Sequence, residues 1–316
     1  METKAHQNLR IVFMGTPEFA VASLDALVRE GFNVVGVVTA PDKPAGRGLQ
    51  LQESAVKKYA LGKGLSILQP LKLRDSEFLE TLKSLQADVQ VVVAFRMLPE
   101  VVWNMPPLGT INVHGSLLPQ YRGAAPINWV LINGERETGV TTFKLQQEID
   151  TGNILLQERI AISDQETAGS LHDRMKEVGA LLLIKTLKSI AEGTLRDVPQ
   201  QAPPEGIQHA PKLQTDTGRI DWNQSVNAIF NLIRGLSPYP AAFTELQGKK
   251  LKVFFAEREE AKPTEAPGTL VTDKKNYVKF ACADGYISVT ELQLEGKKRM
   301  PATAFLQGYR FAEGGL

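Results

Sequence analysis

The chain has 316 residues, of which 43% are hydrophobic, and a formal net charge of +1. This length allows two domains with separate cores, and the lack of any long apolar run argues against a membrane-spanning protein. The near-zero net charge gives no global sign of nucleic-acid binding, so an RNA contact would depend on local patches. The first ten residues are polar and lack the apolar length of a secretory signal, which predicts a cytoplasmic protein.

Disulfide and metal chemistry have little support in the sequence. Cys282 is the only cysteine, which excludes an intramolecular disulfide and any site built from several cysteines. The four histidines, His6, His114, His172 and His209, have none of the short spacings typical of metal ligands. We therefore expect no metal site.

The first half of the chain alternates apolar, β-branched runs with amphipathic segments. Such alternation is typical of βαβ units around a sheet covered on both faces. It predicts a doubly wound, Rossmann-like α/β domain with a mostly parallel sheet. The predicted strands are 9–14, 34–39, 89–95 and 110–113, and the predicted helices are 19–29 and 53–61.

The first predicted helix has clear start and stop signals. Thr16 is a candidate N-cap, Pro17 suits the first helical turn, and Gly31 can end the helix. The segment 15–17 lies where a dinucleotide-binding protein has its phosphate-binding turn, but it matches neither GxGxxG nor GxxxxGKS/T. This argues against a bound dinucleotide or ATP, and hence against a dehydrogenase. The segment is then either a tight strand-to-helix turn or a direct substrate contact.

The composition changes near residue 200. Residues 199–218 are rich in Pro, Gln and small polar residues, as linkers are. A short helix near 225–236 and several brief strands follow, which predicts a small β-barrel or sandwich. The predicted strands are 242–245, 251–257, 268–272, 277–281 and 286–293. We expect an α/β domain at 1–200, a linker at 201–218 and a smaller β domain at 219–316.

The densest polar signal is the segment 109–126, in which Asn112 and His114 stand two residues apart. In an extended strand both side chains project from the same face and can converge on one reacting carbon. An amide donor beside an imidazole can hold a developing oxyanion and transfer a proton near neutral pH. The alternative for His114 is a structural histidine that hydrogen-bonds the backbone.

Asp150 is a third candidate, in the turn Asp150-Thr-Gly152 between strand-like segments at 141–145 and 154–157. A carboxylate near the carboxyl ends of parallel strands lies where open α/β sheets bind ligands. The alternative is a turn residue whose carboxylate caps its own backbone.

Five stretches of the chain form a set: Phe13-Met-Gly-Thr-Pro-Glu-Phe19, Pro41-Asp-Lys-Pro-Ala-Gly-Arg-Gly48, Asn112-Val-His-Gly-Ser-Leu-Leu-Pro119, Tyr121-Arg-Gly-Ala-Ala-Pro126 and Asp150-Thr-Gly152. In order and spacing they resemble the methionyl-tRNA formyltransferases, within the folate-dependent formyltransferase family. The resemblance covers essentially the whole chain. The Pro-Ala-Gly-Arg-Gly loop and the C-terminal domain are its most diagnostic parts.

The resemblance implies an enzyme that transfers the formyl group of 10-formyltetrahydrofolate to the α-amino group of methionyl initiator tRNA. Asn112, His114 and Asp150 would form its catalytic trio, and the C-terminal domain would be an OB-like barrel that aids tRNA binding. The folate is a cosubstrate, no cofactor is bound, and a monomer is expected. The implied folate site comprises Ser116, Leu117, Leu118 and Pro119 with Phe95, Arg96 and Met97. Residues 94–99 depart from the family pattern, because many relatives have a stretch one residue longer there.

Formyl transfer sets what the trio must do. The attacking amine must be neutral, the formyl oxygen gains negative charge, and the folate N10 must leave with a proton. Asn112 would donate to that oxygen, and a protonated His114 beside the carboxylate would be a second donor. Asp150 would relay protons between the two nitrogens, directly or through water.

The predicted tRNA contacts are local. The loop 41–51 carries Lys43 and Arg47 among helix breakers, and is either a mobile solvated loop or a contact to the tRNA acceptor stem. Residues 206–316 hold 15 Lys plus Arg and 12 Asp plus Glu, a net of +3. Three clusters there are either solvated turns or a basic face for the tRNA backbone. They are Lys249-Lys250-x-Lys252, Lys274-Lys275 and Lys297-Lys298-Arg299.

Two other functions compete with this one. The first is formyl transfer to a small amine, such as glycinamide ribonucleotide or an amino-sugar nucleotide, by the same trio. The basic loop and the extra β domain argue against the glycinamide substrate. The second is a non-catalytic RNA-binding protein, against which the complete trio argues.

Overall fold

A computed structural model describes residues 6–45 and 50–310. These residues belong to two compact units. The first unit comprises residues up to 123 together with 138–161 and 172–209, and the second comprises 124–137, 162–171 and the chain from 210 onward.

The secondary structure alternates strands and helices in the first half of the chain and consists mainly of strands near the end. The strands are β1 (Arg10–Gly15), β2 (Asn33–Val38), β3 (Lys43–Ala45), β4 (Gln50–Gln52), β5 (Ile67–Leu68), β6 (Val89–Val93), β7 (Thr110–His114), β8 (Arg122–Gly123), β9 (Glu137–Lys144), β10 (Ile154–Ala161), β11 (His209–Ala210), β12 (Ala242–Leu246), β13 (Lys249–Glu259), β14 (Leu270–Thr272), β15 (Val278–Ala281), β16 (Tyr286–Leu294) and β17 (Met300–Pro301). The helices are α1 (Glu18–Arg29), α2 (Ala55–Gly62), α3 (Ser76–Ser84), α4 (Glu100–Trp103), α5 (Pro126–Ile132), α6 (Ala168–Ala191), α7 (Val226–Leu236) and α8 (Ala302–Gly308). Within the described ranges, none of these helices combines the length and apolarity needed to cross a bilayer.

A seven-stranded sheet forms the centre of the first unit, in the order β10-β9-β7-β6-β1-β2-β5. The strands β5, β2, β1, β6 and β7 run parallel, and β9 is antiparallel to β7. β6 is buried along its whole length, as expected for an apolar strand covered on both faces. The strand order changes direction between β1 and β6, and the carboxyl ends at such a point flank the ligand crevice of open α/β sheets. The predicted doubly wound, mostly parallel α/β fold is confirmed.

Helix α1 begins at Glu18, one residue after the start that a Thr16 cap would give. Pro17 is the N-cap, with an extended backbone and no side-chain capping bond, so the predicted Thr16 cap is wrong. Thr16 lies outside the cap position, and the backbone carbonyl of Pro17 accepts the first helical hydrogen bond from Ala20, at 3.0 Å. At the other end Gly31 follows the C-cap with a φ of +72°, so the predicted stop is confirmed.

The second unit contains a six-stranded antiparallel sheet in the order β12-β13-β16-β15-β14, with β17 beside β16. Two register shifts in β13 flank Phe255, and bulges of this kind increase the twist of a sheet. Helix α7 begins where the hydroxyl of Ser225 accepts a hydrogen bond from the N–H of Ala228. In the apolar core of this unit, Trp222 stacks on Phe280 with 4.7 Å between the ring centres. The predicted smaller C-terminal β domain is confirmed.

Gly15 connects β1 to α1 through a turn that leaves no room for a side chain. A Cβ atom at this position would lie 2.6 Å from the Cβ of Ala20 and 3.0 Å from the carbonyl oxygen of Val93. Close packing between strand and helix is therefore sufficient reason for a glycine here.

We predict that Gly15→Ala lowers the free energy of unfolding by about 1–3 kcal/mol, because the added methyl group must displace rigid neighbours. The matched control is Gly62→Ala at the exposed end of α2, where a Cβ would meet nothing within 4 Å. That change should be neutral or stabilising by up to about 1 kcal/mol. Urea unfolding of both variants measures the difference, and equal stability would contradict the packing explanation.

Candidate active site

Asn112 and His114 share one face of β7, as predicted from their spacing. Ile111 and Val113 occupy the other face and are buried among apolar side chains. The Asn112 side chain is half-buried, and only 8% of the His114 side chain is exposed. The two polar groups therefore lie side by side at the carboxyl end of a parallel strand.

His114 has one ring nitrogen committed to the backbone. Its Nε2 lies 2.9 Å from the carbonyl oxygen of Tyr121. A carbonyl can only accept, so Nε2 carries a proton, and Nδ1 of the neutral ring is an acceptor. Nδ1 lies 3.8 Å from Oδ2 of Asp150. His114 thus makes the backbone hydrogen bond expected of a structural histidine. That bond leaves Nδ1 as the ring nitrogen that faces Asp150.

Asp150 reaches His114 from a turn in the left-handed region, with a φ of +54°. Its Oδ2 accepts a hydrogen bond of 2.9 Å from the backbone N–H of Gly123, so the carboxylate does not cap its own turn. The turn follows the antiparallel strand β9, but it brings Asp150 to the carboxyl end of the parallel strand β7, where we expected it. The structure thus brings together two of the predicted trio directly, with Asn112 beside them on β7.

Gln200 also contacts this turn, and sequence reasoning missed it. Its Nε2 donates to the carbonyl oxygens of Asp150 and Gly152, both at 2.8 Å. Its Oε1 accepts from Nε and Nη2 of Arg122, at 3.1 and 2.6 Å. Gln200 lies in the Pro- and Gln-rich stretch interpreted as a linker, so its residue type gave no signal there.

The loop after β7 contains four of the predicted folate residues, Ser116, Leu117, Leu118 and Pro119. Thr141 holds this loop, because its hydroxyl donates to the carbonyl of Ser116 at 2.7 Å and accepts from the N–H of Leu118 at 3.1 Å. Ser116 and Leu118 are buried, whereas Leu117 and Pro119 are half-buried. Hydrogen bonds to Thr141 therefore hold in place the loop that follows His114 in the chain.

The other predicted folate residues follow β6, the neighbouring strand. Phe95 is half-buried against an apolar cluster, and 75% of Met97 is exposed. The Arg96 guanidinium donates to the carbonyls of Leu71, at 3.0 Å, and Pro70, and partial burial lowers the pKa of Arg96. A pocket of about 310 Å³ lies here, and no trio residue lines it. Its lining residues are Leu73, Arg74, Arg96, Met97, Leu98 and Pro99.

The predicted tRNA loop is a hairpin at its described ends. Lys43 is exposed on β3, which pairs with β4, while Arg47 lies outside the described residues. At the base, Asp42 accepts from Nζ of Lys57 at 2.5 Å and from Nε2 of Gln69 at 2.9 Å. The hydrogen bond with Lys57 lowers the pKa of Asp42, and the same bond raises the pKa of Lys57. The base of the loop is therefore held in place.

The basic clusters of the second unit differ in the contacts that their charged side chains make. Arg299 pairs with Glu291 through bonds of 2.7 and 2.8 Å and lies 4.2 Å from the ring centre of Phe254. The exposed cluster Lys274-Lys275 follows Asp273, which accepts three backbone N–H groups of its own turn. Those bonds lower the pKa of Asp273. Lys274 and Lys275 are thus exposed on a hydrogen-bonded turn, and Lys297 and Lys298 are exposed as well.

In the part of the chain that the structure describes, no three His, Cys, Asp or Glu side chains are grouped so that they could hold a metal ion. The first unit has a mostly parallel sheet with an amide, an imidazole and a carboxylate at the carboxyl end of β7, and the second unit has a curled antiparallel sheet.

The chain belongs to the formyl transferase family. Residues 9–187 match the formyl transferase domain, and residues 212–310 match the C-terminal domain of formyl transferases.

Similar proteins indicate which kind of formyl transferase this chain resembles. Methionyl-tRNA formyltransferase of Bacteroides fragilis is 52% identical to this chain over 314 residues, which cover 97% of each chain. Methionyl-tRNA formyltransferase of Parabacteroides distasonis is 54% identical over 313 residues, 96% of this chain and 97% of the relative. The resemblance noted from the motifs is confirmed.

Solved structures share the fold at low identity. HypX from Aquifex aeolicus, in complex with tetrahydrofolic acid, has a TM-score of 0.65 and 17% identity over 96% of this chain and 47% of HypX, so this chain spans about half of HypX. An N-formyltransferase from Helicobacter canadensis, in complex with folinic acid and dTDP-3-aminofucose, has a TM-score of 0.67 and 19% identity over 92% of this chain and 100% of that chain. At these identities the likeness establishes the fold alone.

We predict that Thr141→Val loosens the loop after β7. The change leaves the buried N–H of Leu118 and the carbonyl of Ser116 without their partner, which should cost about 1–3 kcal/mol of unfolding free energy. Thr141→Ser keeps the hydroxyl and is the control. Urea unfolding with folate titration measures both effects, and a valine variant as stable as the serine variant would contradict this role.

Proposed function

We propose that the chain transfers the formyl group of 10-formyltetrahydrofolate to the α-amino group of methionyl initiator tRNA, giving N-formylmethionyl-tRNA. The observation that carries the proposal is the convergence of Asn112, His114 and Asp150 at one strand end. It is supported by full-length relatives named for this activity at 52–54% identity. The folate is a cosubstrate, and the enzyme acts as a cytoplasmic monomer.

The reaction exchanges one carbon–nitrogen bond for another. The bond between the formyl carbon and N10 breaks, a bond to the α-amine forms, the amine loses a proton and N10 gains one. The Asn112 amide donates to the formyl oxygen as it becomes negative. Because Nε2 of His114 is engaged by Tyr121, only Nδ1 faces the reaction. When protonated, Nδ1 is the second donor to the same oxygen.

Asp150 completes the proton transfer. Its Oδ2 is held by the N–H of Gly123, so Oδ1 is the oxygen left to accept the amine proton, directly or through water. The separation of 3.8 Å from His114 is longer than a hydrogen bond, and such contacts often tighten when substrate is bound. The imidazole and the carboxylate then act as one proton-handling pair.

The folate cosubstrate occupies the crevice between the loops that follow β6 and β7. Leu117 and Pro119 offer apolar surface on one side, and Phe95 and Met97 offer it on the other. Such walls suit a flat, largely apolar ligand that is oriented by a few polar groups. The side chains of Ser116 and Arg96 hold the two loops by donating to the backbone carbonyls of Gln120 and Leu71, and the backbone N–H of Leu118 donates to the hydroxyl of Thr141.

The tRNA is held by the hairpin loop and by the β domain. Lys43 is exposed near the start of the hairpin, whose base is fixed by the pair Asp42 and Lys57, and Arg47 would extend the contact toward the acceptor stem. On the β domain, the exposed lysines of the three clusters give the tRNA backbone a diffuse attraction.

The domain boundaries belong to the same proposal: a catalytic α/β domain at 1–200, a linker at 201–218 and a tRNA-binding β domain at 219–316. Helix α5, which lies within the first of these ranges, packs in the second unit, where Asn128 donates to the carbonyl of Gly235 on α7 at 2.8 Å. A separated β domain would therefore need residues 124–137 and 162–171 as well as its own segment.

The trio is tested by single substitutions assayed with charged initiator tRNA. We expect Asn112→Ala, His114→Ala and Asp150→Ala each to lower kcat by roughly a hundredfold or more, because each removes an oxyanion donor or a proton relay. His172→Ala, on α6 with its ring tilted against that of Phe19 at 5.2 Å between centres, is the matched histidine control and should stay near wild type. A folded His114→Ala enzyme with nearly normal turnover would refute this mechanism.

The hairpin is tested by Arg47→Ala and Arg47→Lys. Alanine should impair formylation of charged tRNA while folate binding stays unchanged, and lysine should rescue only in part because it lacks the planar guanidinium. Lys83→Ala, an exposed change of equal charge on α3, is the control. Both substrates are titrated at fixed salt, since phosphate contacts depend strongly on ionic strength. Identical tRNA kinetics for wild type and Arg47→Ala would remove Arg47 and its loop from the proposed tRNA contact.

A further inference from the structure

Residues 197–200 lie along the Asp150 turn, and we call them the strap. Ile154 and Val198 exchange two backbone hydrogen bonds of 2.8 Å. One residue earlier in each segment, the side-chain amide of Asn153 donates to Asp197 at 3.3 Å. The strap is therefore attached beside the turn through both backbone and side chains.

Gln200 is the strap residue that contacts the turn itself. One amide group donates to two carbonyls, those of Asp150 and Gly152, at 2.8 Å each. The turn needs such support, because Asp150 has a positive φ that costs free energy for any residue with a side chain. The turn is also tightly packed, since a Cβ on Gly152 would lie 1.6 Å from the carbonyl oxygen of Lys144.

Arg122 fixes the direction of the Gln200 amide. Its guanidinium donates twice to Oε1 of Gln200, which leaves the NH₂ group pointing at the turn. The next residue, Gly123, donates its backbone N–H to the Asp150 carboxylate. Hydrogen bonds therefore connect Arg122 to Gln200, Gln200 to Asp150 and Asp150 to Gly123, and the peptide bond between Arg122 and Gly123 closes the ring. The ring holds both the backbone and the carboxylate of Asp150.

We propose that Gln200 and Arg122 are positioning residues that set the Asp150 carboxylate opposite His114. The inference rests on the proposed function, in which Asp150 relays protons during formyl transfer. Neither residue needs to touch the substrate. Their effect is on the placement of a group that must lie within a fraction of an ångström of its working position.

The test uses Gln200→Met, which keeps the length but loses every hydrogen bond, and Gln200→Glu. The glutamate keeps the contact with Arg122 but sets a carboxylate against two carbonyl oxygens. Both should lower kcat by about ten- to a hundredfold, with the KM for charged tRNA and for folate changed by less than about threefold. Gln201→Ala, at the exposed neighbouring residue, is the matched control and should behave as wild type.

The decisive comparison repeats these changes in an Asp150→Asn enzyme. If Gln200 acts through Asp150, its loss should add less than about twofold once the carboxylate is gone. A loss as large as in the wild-type background, or normal kcat in folded Gln200→Met and Gln200→Glu, would overturn the inference. Nearly normal turnover of Asp150→Asn alone would instead contradict the proton relay by Asp150, and a wild-type enzyme that leaves charged tRNA unformylated would contradict the proposed function, so these failures are distinguishable.

Discussion

The hydrogen bond from the backbone N–H of Gly123 to the Asp150 carboxylate joins the two halves of the candidate active site. Asn112 and His114 are placed by a sheet strand, whose geometry is fixed by its neighbours on both sides. Asp150 comes from a turn, and turns take their precision from the contacts made to them. A backbone donor is retained in every substitution of its own residue except proline, which makes it a durable anchor for a catalytic carboxylate.

The segment 121–123 does more than hold Asp150. The Tyr121 carbonyl selects the protonated nitrogen of His114, the Arg122 side chain orients Gln200, and the Gly123 N–H holds the carboxylate. Three consecutive residues thus control the orientation of both proton-handling groups.

Much of this arrangement could be predicted from local patterns. The alternation of apolar runs predicted the parallel sheet, and period-two spacing placed Asn112 and His114 on one face, because both follow from backbone geometry alone. The caps were less predictable. Thr16 was the candidate cap of α1 and is not the cap, since the proline after it takes the cap position instead. Which of two adjacent residues caps a helix depends on the path of the incoming chain.

The site residues that could not be predicted from the sequence were missed for a different reason. Thr141 and Gln200 act through hydrogen bonds to backbone groups that are distant in sequence, and no periodicity connects such partners. The antiparallel direction of β9 was also invisible, because an apolar run looks the same in either direction. Long-range pairing is set by the packed fold, so these features emerge only in three dimensions.

The most direct test of the account is a competition between acceptors. The purified chain is incubated with 10-formyltetrahydrofolate, charged initiator tRNA and a small amine such as an amino-sugar nucleotide, and mass spectrometry identifies which amine carries the formyl group. We expect formylation of the methionine α-amine on the tRNA, at a rate lowered roughly a hundredfold or more in His114→Ala. Formylation of the small amine with the charged tRNA left unmodified would contradict it.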